Sequence, residues 1–460
     1  MTSSAETQLA LEAMRPHVVL FASPGMGHLI PMTELARMLA SPHRNFAVTI
    51  ITKAPTLSSS GNDKESFRSS LPSSVNAVFL PTTDPYDNSF TQVFLSALSS
   101  LPFLRETIRS LKSSTRVVAL IADFLSVDTS DVARELDVPF FVFGPFNLMA
   151  LSFLLHSPAI DRETTMEFHD MPVIKFPGWC TEIHGIDLGA TYQDRKSESY
   201  RLSLHMANQI LKADGILCNS FYELEPGLAS ILKDKDPNHP PVYTIGPLVR
   251  SVPNQQVDSS GSIDWLNNRP NGSVLFVSFG SEGILSSEQI SELAWGLELS
   301  RQHFLWVIRS PNESSMTKLL PEGFIERNTT GLVVQSWAPQ TEILGHKSTG
   351  GFLTHCGWNS VLESIMNAVP MIAWPLFAEQ RINAKMLVNG IGVALRPEVQ
   401  DGSVVPRDVI ARVVKELMQG EGGRDARKKM LEVKAAGAKA LSEDGSSFKN
   451  FSEWKKSIVI

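Results

Sequence analysis

At 460 residues the chain is too long for one ordinary hydrophobic core, so two domains are expected. Hydrophobic residues at 43% and charged residues at 19% describe a folded globular protein. A formal charge of −7 and a pI near 5.9 argue against nucleic-acid binding and against a polybasic membrane role.

The first fifteen residues, rich in Ser, Thr, Glu and Ala, carry no apolar signal-peptide core. His17 to Ala22 reads as a strand, followed by the glycine loop Ser23 to His28 and a helix from about Pro31 to Ala40. Phe46 to Thr52, Ala77 to Leu80, Val117 to Ala122 and Phe140 to Phe143 are further β-rich runs. Helical patterns separate most of them, which is the sequence form of a parallel sheet with helices on both faces. From about Ser157 to Arg195 periodicity is lost, and part of a binding pocket is expected in that long irregular stretch.

Around Arg250 to Ser262 the composition shifts to Ser, Gln, Asn, Gly and Pro, the composition of a linker. The alternation then restarts with Val274 to Phe279, a helix from about Ser287 to Glu298, Phe304 to Ile308, Leu332 to Val334, Gly351 to Thr354 and Met371 to Trp374. The expected organisation is a first α/β domain at 1–249, a linker at 250–262, a second α/β domain at 263–445 and a final helix within 446–460. That helix carries apolar Phe451, Trp454, Ile458 and Ile460. Cys180, Cys218 and Cys356 are scattered, without a paired framework or C-x-x-C spacing, so no metal is expected and a reducing compartment is favoured. No stretch reaches the ~18 apolar residues of a spanning helix. A cytoplasmic monomer without stable membrane insertion or nucleic-acid partner is the expectation.

The densest run of chemistry lies between Trp337 and Gln380: Trp337-Ala338-Pro339-Gln340, then Thr354-His355-Cys356-Gly357-Trp358-Asn359-Ser360, Glu363 and Glu379-Gln380. A short buried strand, a glycine turn and a helix start, with Asn359 or Ser360 as cap, make an anion site from free N–H groups and the positive dipole end. This segment closely resembles the signature box of plant family 1 glycosyltransferases, which use UDP-sugars to glycosylate small secondary metabolites. The box spans 44 residues in that family, as it does from 337 to 380 here. The resemblance implies an α/β fold of two Rossmann-like doubly wound domains facing across a cleft (GT-B type), with the last helix returning to the first domain.

The resemblance also implies roles. Trp337 would stack on uracil, the Ala338 backbone would read the base edge, and Gln340 would lie near the ribose. Glu363 would take the ribose hydroxyls, although Ser360-x-x-Glu363 is also a capping box. His355, Asn359 and Ser360 correspond to phosphate ligands, while Trp358, Glu379 and Gln380 correspond to sugar contacts, with Gln380 favouring glucose over galactose. A second glycine loop, Ser278 to Leu285, places Ser281 toward the diphosphate. There Glu282 and Ile284 depart from the family's usual small Gly and Thr, which marks Glu282 as an acceptor contact or a repulsive group.

His28, in Pro24-Gly25-Met26-Gly27-His28-Leu29-Ile30-Pro31, matches the family's catalytic base, with the following helix N-terminus expected to favour neutral imidazole. Asp123, ending the strand Val117 to Ala122, matches its partner. Nearby Asp128 reads as a surface or capping carboxylate. Further matches, including His184-Gly185, Gln193-Asp194-Arg195 and Glu223-Leu224-Glu225-Pro226, look most like the subgroup acting on monolignols, hydroquinone and simple phenols. Phe94, Phe124, Phe146 and Leu148 are candidates for a flat aromatic acceptor pocket. The implied reaction is inverting transfer of glucose from UDP-glucose, a co-substrate, to a phenolic hydroxyl, with no cofactor and no metal. Its rivals are C-glycosylation of a polyphenol and a donor-binding but catalytically silent protein. An NAD oxidoreductase would need a third glycine that Gly25-Met26-Gly27-His28-Leu29-Ile30 lacks.

Overall fold

The computed structural model describes residues 15–53, 63–81, 90–171, 173–237, 239–250, 258, 260–309, 319–335, 337–399 and 402–459. Most of the expected linker, 251–257 and 259, lies outside the described residues.

β-Branched and aromatic runs make two parallel sheets. The first joins β1 (Pro16–Phe21), β2 (Ala47–Thr52), β3 (Val75–Phe79), β4 (Arg116–Asp123), β5 (Phe140–Gly144), β6 (Gly215–Cys218) and β7 (Val242–Thr244) in the order 3-2-1-4-5-6-7. The second joins β8 (Val274–Ser278), β9 (His303–Ile308), β10 (Gly331–Gln335), β11 (Thr349–Thr354), β12 (Met371–Ala373) and β13 (Ala394–Leu395) in the order 10-9-8-11-12-13. The central strands are buried along nearly their whole length, as helices on both faces of a parallel sheet require. Strand order reverses between β1 and β4 in one sheet and between β8 and β11 in the other. Ligand crevices of doubly wound sheets open beyond the C-terminal ends of the strands at such points.

One apolar cluster runs from Val19 and Leu120 in the first sheet to Phe352 and Met371 in the second, so the two domains share buried surface. The final helix, Ser446–Ile458, packs on the first sheet's other face. There Trp454 is fully buried against Phe46 and Phe141, with ring centroids 5.9 and 5.7 Å away. Among the described residues no helix is long and apolar enough to cross a membrane.

Two local expectations are corrected. The first helix begins at Met26, directly after Gly25 at φ +99°, so His28 sits in its first turn rather than in the loop. The helix of the signature segment begins at Trp358, with Gly357 in the capping position and no side-chain cap, so neither Asn359 nor Ser360 caps it.

Candidate active site

The residues that follow β1 and β4 meet those that follow β8 and β11 across a cavity of about 1240 Å³. His28, Phe124, Phe146, Ser281, Glu282, Trp337, Ala338, Gln340, His355, Trp358, Asn359, Ser360, Glu363, Glu379 and Gln380 all line it. So do Leu188, Gly189, Ala190, Thr191 and Tyr192, from the stretch where sequence periodicity is lost. Phe94 does not. It is 4% exposed with its ring edge-on to His205, and the preceding Val93 takes the place in the lining. Leu148 is fully buried outside the lining, while Ala150, Phe153 and Leu154 of the same helix reach it. Ile284 is 53% exposed and also lies outside the lining, so its replacement of a hydroxyl bears on no cavity contact.

Asp123 stands behind His28. Its Oδ2 lies 3.0 Å from His28 Nδ1, and its Oδ1 accepts the Leu125 N–H at 3.0 Å, so a fully buried carboxylate is fixed at both oxygens. With Nδ1 engaged, Nε2 is the ring nitrogen left for the cavity. Burial works to lower the His28 pKa, but the charge and hydrogen bond of Asp123, with the charges of Glu379 and Glu282, outweigh it and hold the value above 6.5. The expectation of a helix terminus biasing the ring to neutral is therefore overridden by the carboxylates around it.

His355 behaves in the opposite way. Burial without a carboxylate partner pushes it down to about 4, so at neutral pH it offers a hydrogen bond rather than a positive charge. Its Nδ1 has no partner among the described residues, and a Cβ on Gly280 would lie 2.6 Å from its ring. Only glycine fits there, and Gly280 also sits at φ +76°. Glu363 accepts from Gln340 Nε2 at 2.7 Å and Thr341 Oγ1 at 3.4 Å, while Gln340 Nε2 also reaches Ser360 Oγ at 3.0 Å. Ser360 lies inside the helix that Gly357 caps, so Ser360-x-x-Glu363 is not a capping box. Burial raises the pKa values of both Glu363 and Glu379. Gln380 Oε1 accepts the N–H groups of Leu376 and Phe377, which shapes the loop after β12 and leaves its amide nitrogen uncommitted among the described contacts.

Several residues tie the two halves together. Pro31 has no N–H for the carbonyl of Gly27 four residues back, and Asn359 Nδ2 from the other domain takes that carbonyl at 2.8 Å. Trp358 Nε1 donates to the Asn219 carbonyl at 2.7 Å, and Arg381 Nη1 to the Ile186 carbonyl at 3.0 Å. Asn147 Nδ2 donates to Asn383 Oδ1 at 2.7 Å, and Asn383 Nδ2 to the Cys356 carbonyl at 2.8 Å. Asn147 and Asn383 escape a sequence reading because these bonds join groups far apart in the chain. Glu225 is the same case. Quoted above only within a motif, it accepts the Leu148 and Met149 N–H groups at 2.9 Å and so holds the start of the helix that carries Phe153 and Leu154.

The arrangement places a base with a fixed tautomer opposite a helix N-terminus and an aromatic ledge, Trp337, in one cleft. That combination can accept a proton beside a bound anion.

Comparison with known proteins gives consistent findings. The family model described as UDP-glucoronosyl and UDP-glucosyl transferase matches residues 254–421. A hydroquinone glucosyltransferase from Rauvolfia serpentina is 45% identical over 468 residues, covering 96% of this chain and 98% of that protein. Among solved structures, Phytolacca americana UGT2, complexed with UDP-2fluoro-glucose and pterostilbene, aligns with TM-score 0.88 at 43% identity, covering 97% of this chain and 100% of that one. A Polygonum tinctorium UDP-glucosyltransferase capable of glucosylating indoxyl aligns with TM-score 0.88 at 44% identity, covering 97% and 99%.

Proposed function

Since this chain belongs to the plant family 1 UDP-glycosyltransferases, we propose that it transfers glucose from UDP-glucose to a hydroxyl of a small phenolic or phenylpropanoid acceptor, with inversion, giving a β-glucoside. The observation that carries this reading is the His28–Asp123 pair, 3.0 Å apart, in the same cleft as the segment from Trp337 to Gln380. The acceptor class draws support from the relatives, named for hydroquinone and indoxyl, and from the aromatic lining of Phe124, Phe146 and Phe153.

In this reading His28 Nε2 takes the phenol proton as the phenolic oxygen attacks the anomeric carbon from the face opposite the diphosphate. The bond from that carbon to the phosphate oxygen breaks, its electron pair leaves with UDP, and the anomeric configuration inverts. Asp123 holds the tautomer and stabilises the imidazolium that forms. The charge growing on the diphosphate meets the N-terminus of the helix Trp358–Met366, Ser281 and a neutral hydrogen bond from His355. Trp337 stacks on the uracil, Glu363 holds the ribose, and Glu379 with Gln380 takes the glucose hydroxyls.

The test is UDP release from UDP-glucose over a panel of simple phenols, monolignols and flavonoids, with acid lability of the products. Acid-labile conjugates are expected from the wild type, with His28→Ala slowing turnover about 10²-fold or more while UDP affinity is kept. Acid-stable conjugates would overturn O-transfer, and undiminished turnover in His28→Ala would overturn the base.

A further inference from the structure

Beside the apolar acceptor wall of Phe124, Phe146, Phe153 and Leu154 stand two hydroxyls. Tyr192 Oη and Ser203 Oγ lie 2.6 Å apart, and both residues line the cavity. Their positions are fixed independently. Ser203 is 1% exposed on the helix Glu198–Ile210. The Tyr192 ring is clamped edge-on by Phe153, Phe168 and Tyr200, with centroids 4.8, 5.9 and 6.2 Å away. Burial pushes the Tyr192 hydroxyl up to about 12, so it stays a proton donor at every working pH.

Two hydroxyls own two protons, and their mutual bond consumes one. Neither hydroxyl has a further partner among the described residues. One donor proton is therefore uncommitted beside an apolar pocket, where a hydrogen bond left unmade is costly. An acceptor that is only hydrocarbon around its reacting hydroxyl desolvates that proton without a return. One that carries a second oxygen satisfies it.

We infer that Tyr192 and Ser203 form a recognition point for a second oxygen substituent (hydroxyl, ether or carbonyl) on the phenolic acceptor. This selectivity rests on the transferase reading for its acceptor class, and it is measurable without turnover. An uncharged hydrogen bond of this kind discriminates by about fivefold.

The experiment titrates the UDP-loaded protein calorimetrically with matched pairs in which an ether oxygen replaces a methylene. The pairs are para-methoxyphenol against para-ethylphenol, and the corresponding substituted hydroxybiphenyls for longer reach. In at least one pair the ether is expected to bind about fivefold more tightly to the wild type, and Tyr192→Phe/Ser203→Ala is expected to erase that ratio. Both substitutions delete only an oxygen, and UDP affinity checks that the fold is kept. No discrimination by the wild type in either pair, or a ratio unchanged in the double variant, would overturn the inference. Transfer from UDP-glucose is measured in parallel. Discrimination in binding with no transfer would overturn the transferase reading alone and leave the recognition point standing.

Discussion

Asp123 serves two neighbours at once, the His28 ring and the Leu125 N–H, and asparagine in its place keeps the shape while removing the charge. In the role proposed for His28 a base must be unprotonated to act, so activity is expected to fall as pH drops through the His28 pKa, which the surrounding carboxylates hold above 6.5. Asp123→Asn is therefore expected to move the acid limb of the kcat/KM profile to lower pH. Loss of the oriented tautomer should lower kcat about 10²-fold or more. A profile measured from pH 5 to 9 that keeps its acid limb in place would count against the pairing. His28 and Asp123, 95 positions apart in sequence, were paired by the family resemblance rather than by any local pattern, and their side chains do lie 3.0 Å apart. Asp128 was misread as a surface or capping group. It is 7% exposed, makes no side-chain cap, and meets His205 Nε2 at 2.8 Å, a partner no local pattern announces.

Among the elements, the helix Leu148–Glu163 depends on a residue far away in the chain. Burial pushes Glu225 up to about 7 from an ordinary 4.5. A carboxyl whose folded pKa is raised stabilises the fold fully below about pH 4.5, and the contribution is lost as pH rises through about 7. Glu225→Gln removes this titration together with one acceptor for the helix start. The wild type's advantage in unfolding free energy over that variant should shrink by roughly 2–3 kcal/mol between pH 5 and pH 8. Urea unfolding at each pH measures this, and a constant difference would contradict it. Three strands were not read from the sequence: β6 is only four residues and opens on glycine, and β7 and β13, three and two residues long, are too short to carry a period. The helix starting at Trp358 was placed late because polar Asn359 and Ser360 look like caps. Gly357, in an extended conformation at φ −60° and ψ 136°, fills that position instead. Phe94 was misassigned because residue type alone does not say which side of a helix faces a cleft.

On the scale of the molecule, the two sheets and the returning helix make one connected body. Trp454 anchors that helix with no exposed surface, and its Nε1 has no hydrogen-bond partner among the described residues, so its contribution there is packing. Trp454→Ala is expected to cost about 3–5 kcal/mol, read as an earlier chemical unfolding transition, and a loss under about 1 kcal/mol would show the helix is not anchored there. The two-domain organisation was readable from the alternation of elements, but the grip between the domains was not, since it uses backbone oxygens and side-chain partners far apart in the chain, neither of which carries a local signature. In three of the hydrogen bonds across the cleft, the side chains of Trp358, Asn359 and Arg381 from the second domain hold carbonyls of Asn219, Gly27 and Ile186 in the first. A backbone carbonyl is present whatever residue stands at the position, so a point mutation cannot delete it. The first domain can change side chains along its acceptor wall and still be gripped at the same three places. Substitutions along that wall therefore leave the three docking acceptors in place, and a change in the lining need not disturb how the two halves meet.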